Sequence, residues 1–295
     1  PIALTSTKRS HRRAAAHTTD DKQDAASLRT AAVLDGDAWV VNGQKVWTSN
    51  AHLARWGLLV TRTDPDAPKH RGMTYFGIDL HQPGVEIRPL RQMTGQAEFN
   101  EIYLTDARVS EADRMGDVGD GWRVALTTLM NERVAIGGGT RDAGKSAMDW
   151  ILEAWNDHGH DDPARHDEMM KLWVRSEVLR LNNLRAEETL TTGTPGPEGS
   201  IGKVISAEFN KDAFAFALGL TGMAGTLFDG GYDLDQSRPV LDYDTLAEYF
   251  LRVRANSIEG GTTEVMRNII GERVLGLPGD VRVDKDVAWK DVARN

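Results

Sequence analysis

The chain contains no cysteine. That excludes disulfides, thiolate nucleophiles and cysteine-ligated metals, and it accords with a reducing compartment. No apolar run approaches the roughly 18 residues that a membrane helix requires, so no membrane partner is expected. Basic residues are outnumbered, with 35 Lys and Arg against 44 Asp and Glu for a net charge of -9, which argues against a nucleic-acid-binding surface. The 8 histidines lack metal-ligand spacing. His158 and His160 lie beside Asp161 and Asp162 in a stretch that reads as a solvated polar turn, and no metal is expected. What is present is ordinary: 295 residues, 40% of them hydrophobic, enough for a sizeable core and for two domains rather than one. A cytoplasmic location is expected.

Residues 1–27 differ from the rest. Lys8-Arg-Ser-His-Arg-Arg13 is a basic run, followed by Ala14-Ala-Ala16 and Asp20-Asp-Lys22 with little to bury, and its acids set it apart from a transit peptide. The segment reads as an atypical basic or disordered end. From Leu28 the pattern is short β-branched and aromatic runs. Thr30 to Leu34, Trp39 to Val41 and Lys45 to Ser49 are separated by Asp35-Gly36 and Asn42-Gly43, dipeptides that suit primed turns, so two successive hairpins are expected. Trp56 to Thr61, Met73 to Leu80, Val85 to Leu90 and Phe99 to Thr105 continue the series, and a small antiparallel barrel or sandwich over residues 28–118 is expected.

Beyond Gly121 the periodicity is helical. Runs from Trp122 to Ile136, Ala143 to Trp155, Arg165 to Leu190, Ile201 to Leu220, Leu241 to Arg254 and Glu264 to Leu275 are broken by Asp161-Asp-Pro163 and by a Gly/Pro-rich linker from Thr192 to Ser200. Strands followed by helices indicate an α+β chain, with an antiparallel four-helix bundle over 119–278 and a tail over 279–295.

Three stretches carry candidate chemistry. In Ser257-Ile-Glu-Gly-Gly-Thr-Thr-Glu264 the acid Glu259 stands beside Gly260 and Gly261, glycines that permit close backbone approach or φ > 0, and Thr262 or Thr263 can cap the helix that follows. A tight turn before a helix would show the same spacing. Trp47-Thr48-Ser49 sets an indole and two hydroxyls at a strand end, a flat face and two donors for a planar ligand; from these residues alone, core packing is the favoured reading. Ala125, Leu129, Glu132 and Ile136 share one helical stripe, which puts the Glu132 carboxylate on an apolar face. Burial raises a carboxyl's proton affinity and makes it a better base, and the adjacent Arg133 could orient an anion. A boundary ion pair explains Glu132 equally well.

Val40-Val-Asn-Gly-Gln-Lys-Val-Trp-Thr-Ser49, His70-Arg-Gly-Met-Thr74, Phe99-Asn-Glu-Ile102, Leu129-Met-Asn-Glu-Arg133 and the stretch from Ile258 to Pro278 occur in the order seen in the acyl-CoA dehydrogenase family of flavoenzymes. The chain resembles the last two thirds of that family, its middle β-domain and C-terminal helical bundle. The resemblance implies FAD-dependent α,β-dehydrogenation of an acyl-CoA thioester, in which a glutamate takes the α-proton and a hydride passes to flavin N5. It also implies an electron-transfer flavoprotein as electron acceptor and a homodimeric or homotetrameric assembly. By position, Trp47 would lie against the flavin ring, Thr48 and Ser49 at its N5 and O4 edge, and Gly260, Gly261, Thr262 and Glu264 near the rest of FAD.

Many relatives place the base immediately before Gly-Thr, where this chain has Gly260; Glu259 stands one residue early. Branches lacking that acid use a glutamate that precedes Arg on the first bundle helix, and here that residue is Glu132. The resemblance therefore implies Glu132 as base with Arg133 close to the acyl-CoA, and Glu259 as the alternative base. The segment Thr5 to Ala26 has nothing like the Ser/Thr-Glu-Pro-Gly-Ala-Gly-Ser-Asp stretch of relatives, and His160-Asp-Asp-Pro-Ala-Arg165 does not match their Arg-x-x-Phe-Gly. An oxidase of the same fold and a non-catalytic assembly subunit are the alternative functions.

Overall fold

The structure is a computed structural model that describes the backbone of residues 15–17 and residues 28–128, 145–158, 162–192, 199–227, 243, 245–279, 281 and 283–292. Two compact units divide at Thr127, and residues after Val281 return to the first unit.

The first unit is one eight-stranded sheet. Its strands are β1 (Ala15–His17), β2 (Ala31–Asp35), β3 (Ala38–Ser49), β4 (Trp56–Arg62), β5 (Met73–Asp79), β6 (Val85–Leu90), β7 (Phe99–Ser110) and β8 (Arg114–Met115). They run in the order β6-β7-β3-β2-β4-β5-β8, with β1 added beside β4. The sheet is mixed rather than purely antiparallel, because β1 and β2 each pair with β4 in parallel. Within the N-terminal segment expected to be disordered, residues 15–17 are strand β1, and the remainder lies outside the described residues.

The first expected hairpin forms around Gly36, whose φ is +66°. The second does not: β3 continues through Asn42-Gly43. Val41 pairs with Ala107 and Gly43 with Leu104, so β7 carries one extra residue opposite Asn42. The Asn42 amide clamps that bulge, accepting from the Asp106 N–H at 2.9 Å and donating to its carboxylate at 3.0 Å. An Asn-Gly pair thus serves a bulge in place of a turn. A side chain at Gly43 would meet the Thr30 backbone at 2.7 Å. The inward face holds Trp39, Val41, Leu59, Phe76, Ile78, Ile102, Leu104 and Val109, each large side chain contributing about 1.5–3 kcal/mol on burial.

The chain end docks on this unit. Trp289 donates its N–H to the Ala67 carbonyl at 3.0 Å and lies under the Arg62 guanidinium, while Lys69 pairs with Asp284 at 2.8 Å and Lys290 with Asp66.

Residues 121–128 form helix α1. The second unit contains α2 (Ala147–His158), α3 (Pro163–Thr192), α4 (Gly199–Leu220), α5 (Leu246–Arg252) and α6 (Thr263–Ile269). The break before α3 is as expected: Pro163 opens the helix and the Asp162 carboxylate accepts from the Ala164 N–H at 2.9 Å. Helix α4 is the hub, touching α2, α3, α5 and α6. Its Phe209, Ala213, Phe216, Ala217 and Leu220 recur at helical spacing and pack on Ile151, Met169 and Leu172. Among the described residues no helix is long and apolar enough to cross a membrane.

Candidate functional site

On the sheet unit the site is built by a second bulge. Lys45 pairs with Ile102 and Thr48 with Asn100, so β3 spends two residues, Val46 and Trp47, against Glu101 alone. The extra residue breaks the alternation. Lys45 and Val46 are both buried, Trp47 is 57% exposed, Thr48 is fully buried and Ser49 is exposed. Trp47 has φ +59° and Asn50 has φ +55°. Holding a bulky residue in the left-handed region costs roughly 1–3 kcal/mol and recurs at functional sites. Trp47 is therefore not the core residue that its type alone suggests. Its indole projects outward, braced edge-on by Phe99 at 6.0 Å.

Two polar atoms at this strand end are buried with no hydrogen-bond partner among the described residues, Thr48 Oγ1 and Asn50 Oδ1. Unsatisfied buried groups of this kind are costly. An outward indole and an exposed Ser49 hydroxyl two residues on fit a flat heteroaromatic ring with a polar edge, and a flavin meets that description; the Thr48 hydroxyl is buried beneath the same strand end.

In the helical unit the glycine turn is as the sequence suggests, with Gly260 at φ +64° and Gly261 at φ +94°. Thr262 is the N-cap of α6, its hydroxyl accepting from the Val265 N–H at 3.2 Å. The buried Lys203 ammonium donates to the Gly261 carbonyl at 2.5 Å, and the Ser257 hydroxyl is buried without a partner among the described residues. Glu264 is exposed at the start of α6; hydrogen bonds from its own amide and from the Thr262 hydroxyl hold its carboxyl below the usual carboxylate range. Replacing Thr262 by alanine is expected to cost about 1 kcal/mol, read as a lowered denaturation midpoint.

Glu259 is occupied. Arg252 grips it in a two-pronged pair, Nη1 to Oε1 at 3.1 Å and Nη2 to Oε2 at 2.8 Å, and Asn256 donates to Oε1 at 2.7 Å. Asn210 in turn donates to Asn256 at 3.2 Å. The Arg252 side chain is 9% exposed and that of Glu259 29%. Both carboxylate oxygens are thus engaged as acceptors, which suits a structural counter-ion better than a proton acceptor. Glu132 and Arg133 lie outside the described residues; of their stripe, Ala125 is buried on α1. Among the described residues no cluster of three or more His, Cys, Asp or Glu is arranged to hold a metal.

Residue-type reasoning did not find Asn100, His52, Arg252, Asn256 or Lys203. Asn100 reaches Thr48 across 52 positions and Lys203 reaches Gly261 across 58, distances that only a strand register or a helix packing reveals. Arg252 and Glu259 are seven apart, two turns on an ideal helix, but the chain between them passes through a 3-10 segment, Val253–Ser257.

Comparison with known proteins accounts for nearly the whole chain. The acyl-CoA dehydrogenase middle domain matches residues 15–107 and the acyl-CoA dehydrogenase C-terminal domain matches residues 119–275. The chain is 41% identical over 256 residues to the acyl-CoA dehydrogenase FadE34 of Mycobacterium tuberculosis, covering 86% of this chain and 34% of that protein. It is 37% identical over 260 residues to the acyl-CoA dehydrogenase IpdE1 of the same organism, covering 88% and 65%. The chain therefore spans between a third and two thirds of the length of these relatives. Among solved structures, a Tcur3481-Tcur3483 steroid ACAD variant superposes with a TM-score of 0.76 at 26% identity, covering 91% of this chain and 70% of that one. The ChsE4-ChsE5 complex from Mycobacterium tuberculosis gives 0.73 at 27%, also covering 91% and 70%. With both domains matched in order, the chain belongs to the acyl-CoA dehydrogenase family.

Proposed function

We propose that the chain is the middle and C-terminal part of a flavoenzyme that removes the α and β hydrogens of an acyl-CoA thioester. The observation that carries this reading is the outward indole of Trp47 on a strained bulge, with the exposed Ser49 hydroxyl two residues on and the buried Thr48 hydroxyl lacking a partner among the described residues. Bound FAD would supply the hydride acceptor. The chain's own residues do the rest. Trp47 offers the ring a flat apolar face, and Thr48 and Ser49 offer hydroxyls to its edge. Gly260 and Gly261 open close approach for the remainder of FAD, with Thr262 and Glu264 alongside. Glu132 takes the α-proton, and Arg133 orients the acyl-CoA. Glu259, committed to Arg252, is the weaker candidate for base.

The same reading includes a barrel-like β-domain, a four-helix C-terminal bundle, a cytoplasmic homo-oligomer and delivery of electrons to an electron-transfer flavoprotein. The relative described as a steroid ACAD supports including bulky, ring-bearing thioesters among the substrates tested. Trp47→Ala is the direct test of the ring site. Because the side chain is exposed, the thermal midpoint should barely move, while FAD affinity should fall about tenfold, the equivalent of roughly 1.4 kcal/mol of lost ring contact. Unchanged affinity, measured by quenching of flavin fluorescence on titration, contradicts the placement.

A further inference from the structure

We propose that Asn100 is a positioning residue for the flavin platform, holding Trp47, Thr48 and Ser49 in place without touching the ring. The inference rests on the flavin reading of that platform. Beside the β3 bulge the Thr48 carbonyl accepts a side-chain hydrogen bond, donated by Asn100 Nδ2 at 2.9 Å. The same amide donates to the Glu98 carbonyl at 3.2 Å, and the Glu98 carbonyl accepts from the Asn50 N–H at 2.7 Å. One buried NH2 group therefore holds Thr48 directly and Asn50 through the Glu98 carbonyl, the residues on either side of Ser49.

The amide is held the right way round. The Thr48 and Glu98 carbonyls can only accept, so the NH2 end must face them, and this leaves Oδ1 2.9 Å from His52 Nδ1. His52 stands in the turn that follows Asn50, where the Leu53 and Ala54 N–H groups both donate to the Asn50 carbonyl. Asn100 is fully buried, and both N–H donors of its amide are engaged in these contacts, so the side chain does not face a ligand. An aspartate would lose both donors and set a charge against two carbonyl oxygens. An alanine would take one hydrogen bond from each of those oxygens, leaving the Asn50 N–H on the Glu98 carbonyl.

The test compares Asn100→Asp and Asn100→Ala with Val109→Ala, which opens the core of the same sheet away from the bulge. Each chain is prepared with 5-fluorotryptophan, and the Trp47 fluorine resonance is identified from Trp47→Phe. In both Asn100 variants the Trp47 resonance of the FAD-free chain should shift, and FAD affinity should fall about tenfold or more. In Val109→Ala, at a comparable loss of thermal midpoint, neither should change. The proposal is overturned if the Asn100 variants follow Val109→Ala, or if the resonance shifts while affinity holds. A wild-type chain that takes up no FAD contradicts the flavin reading itself, and the FAD-free resonance then decides the role of Asn100 alone.

Discussion

Glu132→Gln is expected to bind FAD as the wild-type chain does and to lose reduction of the flavin by acyl-CoA, by a factor of about 10²–10⁴ or more. The exchange keeps the side chain's size and hydrogen-bonding shape and removes the carboxylate proposed to accept the α-proton. In the sequence Glu132 falls at helical spacing from Ala125, which the structure buries, while Glu132 itself lies outside the described residues. On the proposed reading, a carboxylate on an apolar stripe would be desolvated, which raises a carboxyl's proton affinity and suits it to act as a base. The engagement of Glu259 with Arg252 and Asn256 weighs on the same side. Rapid anaerobic mixing with an acyl-CoA, following the visible flavin band, checks the expectation. Undiminished reduction in the variant would remove Glu132 from the mechanism.

Glu259 should behave in the opposite way. Glu259→Ala removes a two-pronged carboxylate partner from a nearly buried guanidinium, and the expected effect is a clear loss of stability, up to roughly 3 kcal/mol because Glu259 keeps some solvent. The loss is read from denaturant midpoints of the chain. Glu259→Gln, which retains an oxygen for Arg252, should lose less stability. Under conditions where it stays folded, it should reduce its flavin within about tenfold of the wild-type rate, since in the proposed mechanism no proton passes through it. A Glu259→Gln chain of normal stability and no flavin reduction would make Glu259 the base and reverse the assignment.

Much of the fold could be read from local chemistry. The Gly36 turn, the strands β4, β5 and β6, the Pro163 helix start and the Thr262 cap each depend on residues within a few positions of one another. The misreadings share a cause in long-range pairing. Asn42-Gly43 has the composition of a turn, yet Asn42 is matched to a bulge 64 residues away, and Thr30 crowds Gly43. Trp47 has the composition of a core residue and is turned outward by a register slip that only the β3–β7 ladder defines. For the site, Trp47, Ser49, Gly260, Gly261 and Thr262 were legible as residue types. The groups that hold them, Asn100, His52, Lys203 and Arg252, were not, because each acts across the fold. Trp289 likewise carries no local signal, although it helps to fasten the chain end to the sheet.

The most direct measurement is an anaerobic titration of the FAD-loaded chain with a panel of acyl-CoA thioesters of straight, branched and ring-bearing side chains. The account predicts that at least one thioester bleaches the flavin's visible band in proportion to the amount added and is recovered as its α,β-unsaturated form. A chain that holds FAD and is bleached by none of them would contradict it.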